Sequence, residues 1–383
     1  MLRTSELDYH LPDDLIATRP AEPRDSARLL VIDRDDPSRR QPVTVREIAS
    51  FFREGDLLVV NDSRVLPARL AGTRRSSGGR VSGLFLEERP AQGDAPGVWR
   101  VMLKSNGRLR PGDVIDLADA HDRRTSVSLT LLDKTDDSWL VRAQDDETTG
   151  RESAQALLTR VGATPLPPYI LSARKQRHES IDDERDRAWY QTVYADAAHA
   201  GSVAAPTAGL HLTPALLSEL ASRGVRTARV TLHVGAGTFK PVEVDVVEEH
   251  PMHAEWAEVP ASTLRAVAET RARHPGSRVI CVGTTSARAL ETPPADAPTD
   301  QPWIGETRIL ITPGYPWKRV DGMLTNFHLP RSTLLAMIAA LLPRGVADLL
   351  PIYEQAVRDR FRFYSYGDAM LILPDALPSP DGR

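Results

Sequence analysis

The sequence predicts an α/β protein: a sheet flanked by helices and interrupted early by a separate block of short strands. Three observations predict it. From residue 201 onward, apolar strands alternate with helical patterns. Residues 1–59 carry two further apolar strands around a short helix. Residues 60–152 show only short alternating runs between Gly, Pro and Asp turns. At 383 residues the chain is long for one core, so two domains are expected.

Each element has a local reason. Residues 29–32 and 57–60 are apolar runs that read as strands, with a helix at 45–52 between them. The second run ends in Asn61-Asp62-Ser63-Arg64, which is either a plain polar turn or a contact for an anionic ligand. Residues 83–86, 99–103, 127–132 and 139–143 are spaced as in a small sandwich or barrel. Residues 60–110 hold ten Lys/Arg against four Asp/Glu, a net of +6 in a chain of formal charge −4. That segregation fits a solvated loop face or a nucleic-acid footprint.

A helix is expected at 154–161, a proline-rich turn at 165–170 and an exposed charged loop at 178–187. The stretch 201–241 reads as strand–helix–strand. Thr213 can cap its helix, Pro214 suits the first turn, Leu216, Leu217 and Leu220 form the apolar face, and Gly224 can end it. Further helices are expected at 260–274, 332–342 and 353–363, and strands at 226–233, 278–282, 308–312 and 369–373.

Several function classes fall away. The single cysteine, Cys281, sits in an apolar run and can form no disulfide within the chain, which fits a cytoplasmic protein. The first twenty residues carry acids and prolines where a secretory leader would be apolar, and the longest apolar run, 334–342, is half a membrane span. No phosphate-binding loop of the Walker type occurs. Gly235-Ala236-Gly237 lacks both the third glycine and the following helix of a dinucleotide site. His211, His233, His250, His253 and His328 raise the question of a metal, but HExxH is absent and Pro251 disfavours a helical pair of His250 and His253. No metal is expected, and a metal-dependent hydrolase is the outside reading.

The candidate site residues stand at strand-to-turn switches. Thr207 and His211 lie in one turn, and His233, Gly235, Gly237, Thr238 and Phe239 in another. A merely structural turn needs Gly or Pro, not imidazoles and hydroxyls at both ends. Thr284, Thr285 and Ser286 put three hydroxyls at a helix start, where one cap would suffice, and Arg288 follows. Anionic or oxygen-rich ligands bind readily at such ends. Strand alternation puts His253 and Glu255 on one face and Trp256 on the other. Asn326 and His328 precede a helix, and Tyr366 and Asp368 close a cluster of four aromatics in six positions.

Nine ordered motifs, at 61–70, 165–170, 190–195, 201–211, 231–239, 252–260, 282–291, 326–333 and 363–370, carry a family resemblance over almost the whole length. The chain resembles the S-adenosylmethionine:tRNA ribosyltransferase-isomerases of the queuosine pathway. That resemblance implies a mixed α/β main domain built from both chain ends, 1–59 and 153–383, with a small β-barrel domain, 60–152, inserted. The implied reaction moves and isomerises the ribosyl group of S-adenosylmethionine onto 7-aminomethyl-7-deazaguanine in the tRNA anticodon. Epoxyqueuosine-tRNA forms, and adenine and methionine leave.

Such chemistry asks for a base near neutral pH (His211 or His233), an acid for departing adenine (Asp368), and carboxylate or π faces for the sulfonium (Glu255, Trp256, Phe239, Tyr366). Arg64, Arg69, Arg74, Arg75 and Arg80 in the basic insert are candidates to hold tRNA phosphates. The donor is consumed, so no resident cofactor is expected. The expected partners are S-adenosylmethionine and the anticodon loop, met by a monomer away from any membrane. Ser82 and Gly83 stand where the family places a glutamate and an apolar residue. That departure leaves open the same donor chemistry on another acceptor, or a tRNA-binding protein whose catalytic groups have lapsed.

Overall fold

The computed structural model describes residues 1–89, 97–135, 137–147, 152–235, 242–273 and 276–378. The chain opens with strands β1 (Arg28–Asp33), β2 (Arg40–Thr44) and β3 (Leu57–Asn61), then the short β4 (Arg64–Val65). Next come β5 (Arg69–Arg74), β6 (Arg80–Arg89), β7 (Val98–Ser105), β8 (Val114–Ala118), β9 (Arg124–Lys134) and β10 (Trp139–Asp145). These six close into an antiparallel barrel in the order β10-β7-β6-β5-β8-β9. Trp99, Val101, Leu129 and Val141 fill it. At Gly83 a Cβ would fall 2.3 Å from the Met102 carbonyl oxygen, so the close approach of β6 to β7 accounts for glycine there.

The chain then forms α1 (Ala154–Val161), α2 (Pro168–Gln176), α3 (Asp183–Trp189), β11 (Ala200–Ser202), α4 (Pro214–Ser222) and β12 (Arg226–Leu232). It continues with β13 (Glu255–Val259), α5 (Ala261–Arg273), β14 (Val279–Val282), α6 (Thr284–Glu291), β15 (Trp303–Thr307) and β16 (Gly322–Asn326). Helices α7 (Thr333–Ala339) and α8 (Val346–Arg358) and strand β17 (Ala369–Leu373) complete it.

One mixed sheet takes strands from before and after the barrel, in the order β15-β13-β12-β3-β14-β16-β17-β1-β2. Its centre, β12-β3-β14-β16, is parallel. Strand alternation divides the apolar side chains between two cores. Leu57, Val59, Val279 and Cys281 face one, which α5 to α8 cover with Leu264, Leu290, Leu335 and Ile352. Leu58, Val60, Ile280 and Val282 face the other, closed by Leu216 and Leu220 of α4 and by Ile48. Both faces are buried, so the central strands read as unbroken apolar runs.

Five local expectations change. The strand expected before Ala205 is only β11, which pairs with β4 and stays out of the main sheet. The expected loop 178–187 contains the start of α3, capped by Asp182 and tied down by the buried pair Arg174–Asp186 at 2.7 Å. The turn at 165–170 runs into α2, with Pro168 in its first turn. The strand expected at 308–312 lies earlier, as β15, and the helix expected at 353–363 starts at Val346 and carries Pro351 inside it. Helix α4 has the expected cap, Leu216 N–H donating to Thr213 Oγ1 at 3.2 Å.

At the amino ends of the parallel strands a buried ion pair joins three elements. Asp56 Oδ2 lies 2.6 Å from Arg278 Nη2, and Asp56 Oδ1 accepts the Arg278 N–H at 2.8 Å. The guanidinium also donates to the carbonyls of Phe51 and Pro374. Removing one partner strands the other, so Asp56→Ala should cost about 3–5 kcal/mol in urea unfolding. The double variant Asp56→Ala/Arg278→Met should recover most of that loss.

Candidate active site at the strand ends

The carboxyl ends of β12, β14 and β16 open on a cavity of about 210 Å³. Outside the carboxyl ends of parallel strands is where α/β sheets bind ligands. Each strand delivers its next residues to the wall or just behind it: Val234 after β12, Gly283 to Thr285 after β14, and Thr325 to His328 around the end of β16. The 3-10 turn Thr207–His211 closes one side, and Tyr169, Tyr190 and Tyr364 stand around it.

A hydrogen-bonded chain runs inward from the wall. Thr207 Oγ1 donates to Asn326 Oδ1 at 2.9 Å, and the other end of that amide, Nδ2, lies 3.2 Å from His211 Nε2. The amide therefore presents a donor to His211 Nε2, which makes that nitrogen the acceptor and leaves the ring proton on Nδ1. Burial, then the charges of Arg362 and Arg24, push His211 down to about 4. His328 meets Thr325 Oγ1 through Nε2 at 2.8 Å, and its backbone N–H donates to Tyr353 Oη at 3.1 Å. Part of His328 opens to the cavity, but protein surrounds the ring and burial brings it to about 4. Both imidazoles are neutral at pH 7.

Glu255 and Arg288 form a buried pair in the same wall, Oε2 to Nη1 at 2.5 Å. Glu255 Oε1 accepts the Gly235 N–H at 3.0 Å. Tyr169 Oη and Ser365 Oγ are 2.5 Å apart, and burial pushes the phenol up to about 12.

Of the residues expected from sequence, Thr207, His253, Glu255, Thr284, Thr285, Arg288, Asn326 and His328 meet in this wall. His211 stands behind Asn326, and Gly235 touches Glu255. Others lie elsewhere. His233 stacks on Trp256 with centroids 4.9 Å apart and packs against Gly201, because alternation turns it away from Val234. Burial, then the charge of His199, lowers His233 to about 4. Ser286 Oγ donates back to the Val282 carbonyl at 2.7 Å. Tyr366 packs edge-on against Tyr190, outside the wall. Asp368 accepts the N–H groups of Arg28 and Arg362 at 3.0 and 2.8 Å, tying β1 to the segment before β17. Gly237, Thr238 and Phe239 lie outside the described residues.

Sequence reasoning missed Tyr169, Tyr190 and Tyr364 as lining groups. The signal existed, since all three stand in the motif stretches 165–170, 190–195 and 363–370 of an aromatic-poor chain.

The five basic candidates divide. Arg75 is held by Asp116 at 2.6 Å, and Arg74 donates to backbone carbonyls of the barrel. Arg69 is half-buried; Arg64 lines a small junction cavity that shares Tyr190 with the main one. Arg80 opens on a groove of about 1680 Å³, to which all six barrel strands contribute. Lys104, Arg108, Arg110, Arg124 and Lys134 line it too, against Asp116, Asp122 and Asp137.

Among the described residues, Asp62, Asp196 and His199 have donor atoms within 4.8 Å of one another. The Thr231 hydroxyl, His199 Nδ1 and the Arg229 guanidinium already surround the Asp62 carboxylate. No helix among them is long and apolar enough to cross a membrane.

A family model described as "Queuosine biosynthesis protein" matches residues 4–372. The chain belongs to that family. A protein of Phenylobacterium zucineum (strain HLK1) named S-adenosylmethionine:tRNA ribosyltransferase-isomerase is 44% identical over 374 residues, 97% of this chain and 99% of the relative. Proteins of the same name are 46% identical in Gloeobacter violaceus and 47% in Trichlorobacter lovleyi, covering 97% and 96% of this chain and 96% and 99% of the relatives. The crystal structure of S-adenosylmethionine tRNA ribosyltransferase from Thermotoga maritima matches with a TM-score of 0.51 at 33% identity, covering 96% of this chain and 100% of that one.

The depressed histidines set a pH dependence. Above about pH 6.5 folded and unfolded chains are both neutral at these sites. Between about 6.5 and 4 the unfolded chain binds protons that His211, His233 and His328 refuse when folded. Stability should therefore fall as pH falls, by up to about 1.4 kcal/mol per unit for each histidine. Urea unfolding at stepped pH should show this slope, shallower by one proton in His211→Gln.

Proposed function

We infer that this chain is an S-adenosylmethionine:tRNA ribosyltransferase-isomerase, a transferase of queuosine biosynthesis. It moves and isomerises the donor's ribosyl group onto 7-aminomethyl-7-deazaguanine in the tRNA anticodon, releasing adenine and methionine. The observation that carries this is the identity of 44–47% over nearly full length with enzymes of that name. The cavity supports it with groups suited to each demand.

A base must take a proton acidified by the sulfonium, and a base must be deprotonated at the working pH. His328, neutral and in the wall, meets that requirement; His211 acts one bond away by orienting Asn326. Tyr169, Tyr190 and Tyr364 supply π faces for the sulfonium or a splayed base. His253, exposed at the wall, can hydrogen-bond the acceptor or the leaving adenine. His233, Trp256 and Asp368 support the site's walls and take no part in the chemistry on this reading. The sulfonium donor is consumed, so the reaction calls for no resident metal or redox cofactor. The working unit is a monomer in the cytoplasm.

The barrel groove is the surface suited to RNA phosphates, with Arg80, Lys104 and Arg108 exposed on it. Arg64, at the junction, lies between groove and cavity in function, contacting the anticodon arm.

Incubation with S-adenosylmethionine and tRNA bearing the aminomethyl base should release adenine and methionine in step with a gain in tRNA mass. Release that ignores the tRNA would refute the assignment. Asn326→Ala should lower kcat about 10²-fold. Arg80→Ala with Arg108→Ala should leave kcat unchanged, raise KM for tRNA, and flatten its salt dependence by about one unit of slope per lost contact.

A further inference from the structure

The start of α6 collects donors that no other group among the described residues uses. Gly283 enters it at φ +87°, and no side chain caps the helix. The first N–H groups of any helix lack partners within it, and partial positive charge gathers there. Thr284 and Thr285 lie four and three residues before Arg288, so all three share one face. Helical side chains lean toward the amino end, which brings the guanidinium back over the first turn. All three residues line the cavity.

Arg288 is 5% exposed. Its Nη1 is taken by Glu255, while Nε, Nη2 and Thr285 Oγ1 are buried and bond to nothing among the described residues. Nε and Nη2 form one edge of the guanidinium, and their N–H bonds run side by side. That edge matches the two oxygens of a carboxylate. Leaving such donors buried and unpaired is unfavourable, so an anion completes the site.

We propose that Arg288, Thr285 and the first turn of α6 form a carboxylate subsite that grips the α-carboxylate of S-adenosylmethionine. This deepens, and rests on, the activity inferred above. Glu255 is a positioning residue here: bonded to the Gly235 N–H, it holds Nη1 and leaves the Nε–Nη2 edge of Arg288 for a ligand. A phosphate of the anticodon nucleotide shares the anionic chemistry. The carboxylate is favoured because the free edge offers two coplanar donors and the cavity, about 210 Å³, suits the end of a small molecule.

The test is calorimetric binding of S-adenosylmethionine and its decarboxylated analogue to the full chain. The wild type should prefer the carboxylated donor roughly tenfold to hundredfold. Arg288→Lys keeps a cation for Glu255 but loses the fork, and should bring the two ligands near parity. Thr285→Val removes a hydroxyl that bonds to nothing, so it should keep the wild-type urea midpoint while narrowing the preference. The wild-type comparison needs no variant and stands even if Arg288→Lys fails to fold. Equal binding of the two sulfonium compounds by the wild type would overturn the subsite and leave the activity standing. Variants that weaken an anticodon stem-loop but not the donor would assign the site to phosphate and overturn it too. Binding of neither compound would remove the activity and the subsite together.

Discussion

The Asp56 carboxylate sits where three parallel strands begin, and the register of all three depends on it. It bonds the Arg278 guanidinium and backbone N–H, while the Asp56 carbonyl accepts the Arg226 N–H and the Leu57 N–H reaches the Arg278 carbonyl. Strands β3, β14 and β12 thus leave a common origin in step. A slip of one residue would exchange the two apolar cores, since Leu57 and Val59 face one and Leu58 and Val60 the other. Alignment at that end decides what emerges at the opposite end. Gly283 and Val234 reach the cavity together because β14 and β12 started together.

The cavity contrasts wet chemistry with a dry setting. The imidazoles of His211 and His328 are neutral chiefly because burial disfavours their charged form, with the charges of Arg362 and Arg24 adding to that at His211. A neutral ring can accept a proton, and an enclosed one does so without competition from water. Beside these rings, among the described residues, lies the buried charge pair of Glu255 with Arg288, whose guanidinium has donors to spare.

Much of this was legible in the sequence because it follows from short-range rules. The cap at Thr213, the apolar central strands, and the hydroxyl-rich start of α6 are all written in consecutive residues. The closed barrel and the sheet shared by both chain ends likewise match the architecture that the family likeness implied. What stayed hidden depends on residues far apart. Helix α3 looked like a charged loop because the Arg174 that neutralises Asp186 lies outside it. Asp368 looked catalytic beside a glycine turn, yet its oxygens are claimed by backbone N–H groups from two segments. His233 differs from Val234 only by strand parity, and parity alone does not say which face meets the cavity.

The barrel enters and leaves the main body side by side. Arg69 and Ala163 exchange backbone hydrogen bonds at its base, and the Leu66 N–H reaches the Ser202 carbonyl beside them. Strands β3 and β12, which bracket the excursion in sequence, pair directly with each other. The fold is therefore modular at a single seam. Loops of the barrel can lengthen, shorten or change sign over generations to suit a different polymer, while the chemistry on the sheet is inherited untouched.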